Sequence, residues 1–266
     1  MDRKILKNKP LVEAIFELRW KLEDVKSKAE IISGPQTFKS DSYFSLLIGS
    51  LYEKLKKYYP HYNQLPTASI PEEMAGYIAQ HQFRTEEDKW PLVQMGPGVI
   101  TLNDTDNYVW EDFQKRISFL LDCFFEVYPD IKKDLIFNAV ILRYIDSIDF
   151  DYEKEDILKF LKDEMKTEVV VYDKLFENTN VVKNPYNVDF KFNYPLKTPA
   201  GAITLRFYRG TGDKLNKLIW ETQVVALHKD VPQKKEEILK WIESVHQLTD
   251  DWFFKIIEGP LLGRFE

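Results

Sequence analysis

The stretch Leu135–Ile148, with the sequence LIFNAVILRYIDSI, constrains the fold more than any other feature. It is apolar at both odd and even positions, whereas a half-exposed strand alternates apolar and polar residues. Such a run is typical of a central strand with neighbours on both sides. Arg143 is the exception, a charged side chain within the run. The sequence therefore predicts a sheet built around this strand, with the Arg143 guanidinium largely out of water.

A half-exposed strand is predicted over Leu11–Trp20, because its even positions are apolar while its odd positions include Glu13, Glu17 and Arg19. The same reasoning predicts strands over 76–84, 91–103, 188–194, 201–209 and 217–228. Apolar residues at helical spacing predict helices over 41–59, 108–128, 155–165 and 234–257. This mixture predicts an α+β protein with mainly antiparallel sheets.

The order of the predicted elements suggests an internal repeat. Strand, helix, strand, strand and helix come first, and a second series starts with the strand at 135–148. Pro91-Leu92 followed by Gly98-Val-Ile-Thr-Leu102 is also echoed by Pro195-Leu196 followed by Gly201-Ala-Ile-Thr-Leu205. We therefore expect one compact body of two similar halves, 1–133 and 134–266, related by a pseudo-twofold axis. A chance match of short β-rich strings remains the alternative.

The glycine-rich sequence Gly96-Pro97-Gly98 has two interpretations. A loop that binds phosphate presents its backbone N–H groups at the start of a helix. Here Gly98 leads instead into the apolar strand residues VITL. A bend in the sheet is the favoured interpretation, because glycine supplies backbone freedom and proline removes a hydrogen-bond donor.

Three motifs carry a resemblance to a known family: KPLVEAIFELRW, QMGPGVITLN followed by the tryptophan of YVWEDF, and LRYID. Together they resemble a sporadically distributed family of uncharacterised bacterial proteins of similar length, most strongly before residue 150. The resemblance implies a shared fold and no particular activity. The patchy occurrence of that family is similar to that of defence and toxin–antitoxin genes.

The charge and the cysteine content narrow the class of protein. The formal net charge of −6 argues against coating nucleic acid through bulk electrostatics. The single cysteine, Cys123, lies among apolar residues at helical spacing, so we expect a buried thiol and no disulfide within the chain. No run of about 18 apolar residues and no signal peptide is seen. These features predict a cytoplasmic protein without a membrane span.

Metal and cofactor sites are not predicted, because the histidines are far apart in the sequence. They are His61, His81, His228 and His246. The acidic run from Asp146 to Asp156 could bind a divalent cation, or could be a solvated strand exit before a helix. Asp189-Phe190-Lys191, with an acid from Asp146 or Asp149, could serve a metal-dependent nuclease, or could be two exposed residues of a strand.

The hairpin LRFYRGTGDKLNK combines basic and aromatic side chains, which suits phosphate contact and base stacking. Its basic residues are Arg206, Arg209, Lys214 and Lys217. Charges on an exposed hairpin are equally typical of a soluble edge. Nucleic-acid binding is therefore possible but not favoured for this acidic chain.

Arg143 needs a carboxylate if its strand is buried on both faces. Glu17 and Glu13 are the expected partners, because they share one face of a strand that could neighbour this one. Asp146 and Asp149 are the local alternatives. An ion pair between Arg143 and one of these carboxylates would either set the register of two strands or form the floor of a binding cleft.

These observations favour a non-enzymatic binding or regulatory subunit that acts through contact with a protein partner, in a bacterial defence or toxin–antitoxin system. The alternative is a metal-dependent nucleic-acid-processing enzyme that uses the acidic cluster at 146–156. No cofactor is expected for the first function.

Overall fold

A computed structural model describes residues 6–22, 43–105, 107–128, 135–211 and 216–266. The strands of this part of the chain are β1 (Leu11–Trp20), β2 (His61–Gln64), β3 (His81–Arg84), β4 (Leu92–Gly96), β5 (Val99–Asp104), β6 (Phe137–Asp149), β7 (Asp189–Leu196), β8 (Gly201–Arg209) and β9 (Lys217–Leu227). They form one sheet in the order β2-β3-β4-β5-β1-β6-β9-β8-β7. Every neighbouring pair is antiparallel.

The helices are α1 (Phe44–Leu55), α2 (Trp110–Val127), α3 (Ile157–Asp163), α4 (Lys235–Ile256) and the short α5 (Pro260–Gly263). The first four lie within the four helices predicted from apolar spacing. The predicted α+β class with mainly antiparallel strands is therefore confirmed. Asp156 caps α3, since its carboxylate accepts hydrogen bonds from the backbone N–H groups of Leu158 and Lys159.

Helices α1, α2 and α4 share a hydrophobic core with one face of the sheet. The even positions of β1 contribute Ala14, Phe16, Leu18 and Trp20, each at most 1% exposed. A second cluster joins α3, α5 and the end of α4 to β8 and β9. The alternation in the sequence therefore assigned the buried face of β1 correctly, because residues two apart share a face of a strand.

Strand β6 occupies the centre of the sheet between β1 and β9, as its apolar run predicted. Arg143, which was expected to be largely out of water, is partly buried. Val140 and Leu142 face the helices and are fully buried, whereas the Arg143 side chain points to the other face and is 31% exposed. Helices cover Val140 and Leu142, and α2 also covers Phe137 at the start of the strand, but they do not cover the face on which Arg143 lies.

The predicted strand 91–103 is in fact the hairpin of β4 and β5. Pro97 and Gly98 form its two-residue turn, and Gly98 has a φ of 75°. That value suits glycine at the second central position of a tight turn that begins with proline. The carbonyl oxygens of Pro97 and Gly98 accept hydrogen bonds from the backbone N–H groups of Tyr77 and Trp20. The glycines therefore serve the sheet and do not form a phosphate-binding loop at a helix.

The two glycine-containing strings do not occupy equivalent positions. β5, which follows Gly98, is the direct neighbour of the central strand β1, whereas β8, which begins at Gly201, is separated from β6 by β9. The first half also contains β2, which the sequence analysis missed. Its residues HYNQ are exposed and carry no apolar alternation. The predicted correspondence between 91–103 and 195–209 was therefore wrong.

Candidate functional site

The main candidate site is a cavity of about 410 Å³ between the helices and the sheet. Its walls come from residues 6–11, from the start of α2, from the second half of α4 and from the helix-facing side of β6 and β9. Trp252 of α4 packs against both hydrophobic clusters. Its volume falls within the range of about 300–1,000 Å³ usual for small-molecule sites.

The regular geometry of β6 places Tyr144 and Asp146 in this cavity. They follow Leu142 at intervals of two and therefore point to the same face as that core residue. Thr222 on β9 lies opposite Tyr144 in the sheet and lines the same cavity. On this face of the sheet, polar side chains therefore line the space between α4 and the sheet, whereas apolar side chains fill the core beside it.

One wall of the cavity is a chain of hydrogen-bonded aromatic side chains. The Tyr108 and Tyr144 hydroxyl groups are 2.9 Å apart, and the Tyr144 hydroxyl is 3.0 Å from Nδ1 of His246. The indole of Trp110 stacks on the His246 ring with centroids 3.8 Å apart. Its Nε1 donates to Glu243 at 3.2 Å. These contacts hold the wall in one arrangement.

Asp146 is the unusual group in the cavity. It is 4% exposed, and within the described parts of the chain its carboxyl group has neither a hydrogen bond nor an ion pair. The residue opposite it on β9 is Trp220, whose indole N–H is buried without an acceptor among the described residues. Burial raises the pKa of Asp146 to about 8 from an ordinary value of 3.8. A buried polar group that lacks a partner is rare and marks a candidate binding site.

The remaining charged side chains of the cavity are mostly acidic. Glu111 and Asp250 line it together with Asp146, and Lys9 is the lysine among its described lining residues. The Lys9 ammonium donates to the Tyr108 carbonyl oxygen at 2.6 Å. Glu111 and Asp250 have contacts of their own, so Asp146 is the acid of interest in this aromatic-walled cavity.

Arg143 has a different ion-pair partner from those expected. Its Nε donates to Gln223 at 2.9 Å and lies 3.6 Å from Glu221, both on β9. Glu13 and Glu17 share its face of the sheet, but Glu17 pairs with Arg19 and Glu13 accepts a hydrogen bond from Asn103. Asp146 lies on the opposite face. The partner prediction was therefore wrong, because β6 pairs with β9 as well as with β1.

Replacing Arg143 with methionine is expected to lower the free energy of unfolding by about 1–2 kcal/mol, since the guanidinium is partly solvated. Arg19→Met is the matched control, because Arg19 also makes one ion pair on the same face and is 36% exposed. Urea denaturation measures both. A loss of about 3–5 kcal/mol for Arg143→Met alone would indicate a fully buried pair and contradict this expectation.

The acidic residues of the run 146–156 do not converge. Asp149 pairs with Lys217 at 2.8 Å and Asp151 with Lys154 at 2.8 Å, while Asp156 caps α3. Asp146 alone of these acids lines the cavity. Across the part of the chain that the structure describes, no group of three or more His, Cys, Asp and Glu side chains could hold a metal ion.

The Asp-Phe-Lys sequence of β7 has a structural use as well. The Asp189 carboxylate accepts two hydrogen bonds of 2.7 Å from Arg206 on the neighbouring strand. This pair lowers the pKa of Asp189, chiefly through the hydrogen bond. Asp189 is therefore part of a cross-strand ion pair.

The basic hairpin residues are engaged in the same way. Arg206 binds Asp189, Lys217 binds Asp149, and the Arg209 guanidinium lies 4.5 Å from the ring centre of Tyr152. Lys214 lies outside the described residues. Arg206, Arg209 and Lys217 thus each contact another side chain of this protein. Nucleic-acid binding through these residues stays a prediction without structural support.

Cys123 is buried in α2, as its surroundings predicted. Burial raises the pKa of its thiol to about 11, which leaves little reactive thiolate at neutral pH. None of the helices in the described residues is long and apolar enough to cross a membrane.

The fold and the cavity define an α+β protein in which one antiparallel sheet carries helices on one face and a cavity beneath α4. No family model matches the sequence, and the search of curated proteins found no match. The site must therefore be interpreted from its own chemistry.

Sequence reasoning identified Asp146 but missed the aromatic wall around it. Tyr108, Tyr144 and His246 are separated by 36 and 102 residues in the chain, so no local motif joins them. The one available signal was the polar residue Tyr144 at a core-facing position of β6. Periodicity could mark it as unusual, but could not name its partners.

Proposed function

We propose that this chain is a non-enzymatic binding and regulatory protein, in which a small organic molecule occupies the cavity and a protein partner responds. The observation that carries the proposal is the buried Asp146 carboxyl group without a partner in an aromatic-walled cavity. A ligand that supplies the missing hydrogen-bond donor would stabilise this group. Specific small-molecule sites combine apolar walls with a few such polar groups.

The polar side chains of the aromatic wall are already hydrogen-bonded to one another, which favours binding over catalysis. Tyr108, Tyr144 and His246 bond to one another, and Trp110 covers the imidazole ring. A general base must be within hydrogen-bond reach of the proton that it removes. Here the imidazole nitrogen Nδ1 already faces a tyrosine hydroxyl, which suits a rigid binding wall.

The protein partner and the defence or toxin–antitoxin setting belong to the same proposal. They are supported by the resemblance of KPLVEAIFELRW, QMGPGVITLN and LRYID to a patchily distributed bacterial family. The polar face of the sheet, opposite the helices, is the expected contact surface because charged side chains cover its centre. Glu17, Arg19, Arg143 and Glu221 are among them.

We also propose that the chain arose by duplication of one sheet-and-helix unit. In each half the first strand pairs with the last: β1 with β5, and β6 with β9. The remaining strands then follow outward in reverse order, β4-β3-β2 and β8-β7. Superposition of the halves with β5 on β9 tests this idea, and failure of β1 to fall on β6 would reject it.

The binding function predicts that the protein purified from its host carries a small molecule. Denaturation followed by mass spectrometry should release it from the parent chain but not from Thr222→Met, in which the longer side chain fills the cavity. Val225→Met is the control, because Val225 points to the opposite face of the same strand. Equal release from all three proteins, or none from any, would contradict cavity binding. A pull-down with the parent protein and with the Thr222→Met variant then tests whether binding of the protein partner depends on a ligand in the cavity.

A further inference from the structure

The cavity also indicates the charge of its ligand. This inference rests on the proposed function and concerns the same cavity. Asp146 lines the cavity with a carboxyl group that has no hydrogen bond or ion pair among the described residues, while the Lys9 ammonium already donates to the Tyr108 carbonyl oxygen. The other titratable groups that line the space are Tyr108, Glu111, Tyr144, His246 and Asp250. Once ionised, the Asp146 carboxylate attracts a cation and repels an anion, since charges interact strongly in a poorly solvated cavity.

The aromatic walls point to the same charge. Tyr108, Trp110, Tyr144, Phe253 and Phe254 line the cavity. The faces of aromatic rings attract cations, most strongly where water is excluded. A cation that also donates hydrogen bonds would satisfy the Asp146 carboxylate, and such charge-assisted bonds are about twice as strong as neutral ones.

We infer that the ligand is a protonated amine on an apolar or aromatic body, with its ammonium group bound by Asp146 and its body packed against the aromatic wall. The Asp146 carboxylate accepts the ammonium hydrogens, and the apolar part of the ligand occupies the space between α4 and β9. Neutral and anionic molecules of the same shape bind less well.

Binding of such an amine is coupled to a proton. Burial keeps the empty-site carboxyl protonated near neutral pH, since its pKa is about 8. An ammonium group at hydrogen-bond distance favours the charged carboxylate instead. Amine binding near pH 7 therefore releases up to one proton from Asp146, and its affinity rises with pH until the carboxyl is ionised in the empty protein.

Calorimetric titration of the full chain with matched probes tests this inference. The amines are tryptamine and phenethylamine, the neutral counterparts are tryptophol and phenethyl alcohol, and the anions are indoleacetate and phenylpropionate. At least one amine should bind about tenfold or more tightly than its alcohol, and neither anion should bind. Heats measured in two buffers of different ionisation enthalpy should show proton release with the amine only.

Asp146→Asn should remove the preference for the amine and the proton release. Asp149→Asn, three residues along the same strand and exposed, should leave both unchanged. If Asp146→Asn does not fold, proton release by the parent chain still decides the matter. Alcohols that bind as tightly as the amines, or an Asp146→Asn variant that retains the preference, would overturn the inference but leave cavity binding intact. Failure of all six probes would overturn the inference, and absence of a co-purified molecule as well would reject the proposed function.

Discussion

Replacing Asp146 with asparagine is expected to stabilise the protein relative to the parent by an amount that grows as the pH rises from about 4 to about 8. Burial raises the pKa of this carboxyl to about 8 from 3.8, so over that interval the folded parent holds a proton that the unfolded chain has released. Folding then becomes less favourable as the pH rises, by about 1.4 kcal/mol per pH unit. Asparagine at the same position has no proton to lose.

Urea denaturation of both proteins at pH 5, 6 and 7 measures the effect. The difference in unfolding free energy should widen by roughly 2–3 kcal/mol across this range. Only the slope of the unfolding free energy against pH is compared, because the substitution also changes local hydrogen bonding. Asp149→Asn is the control and should run parallel to the parent, since Asp149 is exposed. Parallel curves for Asp146→Asn would mean that the carboxyl is already ionised in the folded protein.

Replacing Gly96 with alanine is expected to destabilise the protein by roughly 3–5 kcal/mol, the upper range for a single substitution. A Cβ atom at this position would overlap the backbone carbonyl of Ile78. Backbone atoms cannot turn aside as a side chain can, so β4 or the segment before β3 would have to move. The same movement would disturb the hydrogen bond from Tyr77 to Pro97.

Gly49→Ala is the matched control for this experiment. Gly49 lies on the exposed side of α1, and a Cβ atom there meets nothing within 4 Å. It should stabilise the protein by up to about 1 kcal/mol, since alanine favours a helix more than glycine does. Thermal or urea unfolding distinguishes the two. A Gly96→Ala protein as stable as the parent would show that β4 does not approach Ile78 this closely.

Both experiments concern residues whose role in the structure differs from the role that the sequence pattern indicates. Gly96 and Gly98 look like a ligand-binding loop but serve the approach of one backbone segment to another. Asp146 looks like one of several acids at a strand exit, but it is the one member of that run that lines the aromatic cavity. The identity of a residue is therefore a weaker guide to its role than the face of the element on which it lies.

Much of the fold was accessible from periodicity. The bounds of β8, β9 and α4 agree closely with the predicted strands and helix, because each of these elements buries one face and the spacing of apolar residues reports which one. The bounds of β6 agree as well, because its continuous apolar run is typical of a strand with neighbours on both sides. The errors fall where that signal is weak. β2 is short and exposed, and the turn at Pro97 and Gly98 interrupts an apolar run too briefly to be recognised as the boundary between two strands.

The sequence by itself determined the types of the elements, the buried face of β1 and the central place of β6, because these follow from local periodicity. Only the tertiary structure decided which strands pair and what meets across the helix–sheet interface. Arg143 could have paired with Glu13 or Glu17 by pattern alone, and the pairing of β6 with β9 selected Glu221 instead. Asp146, Tyr108 and His246 come together in the same way, since contacts between distant segments depend on the packing of the whole chain.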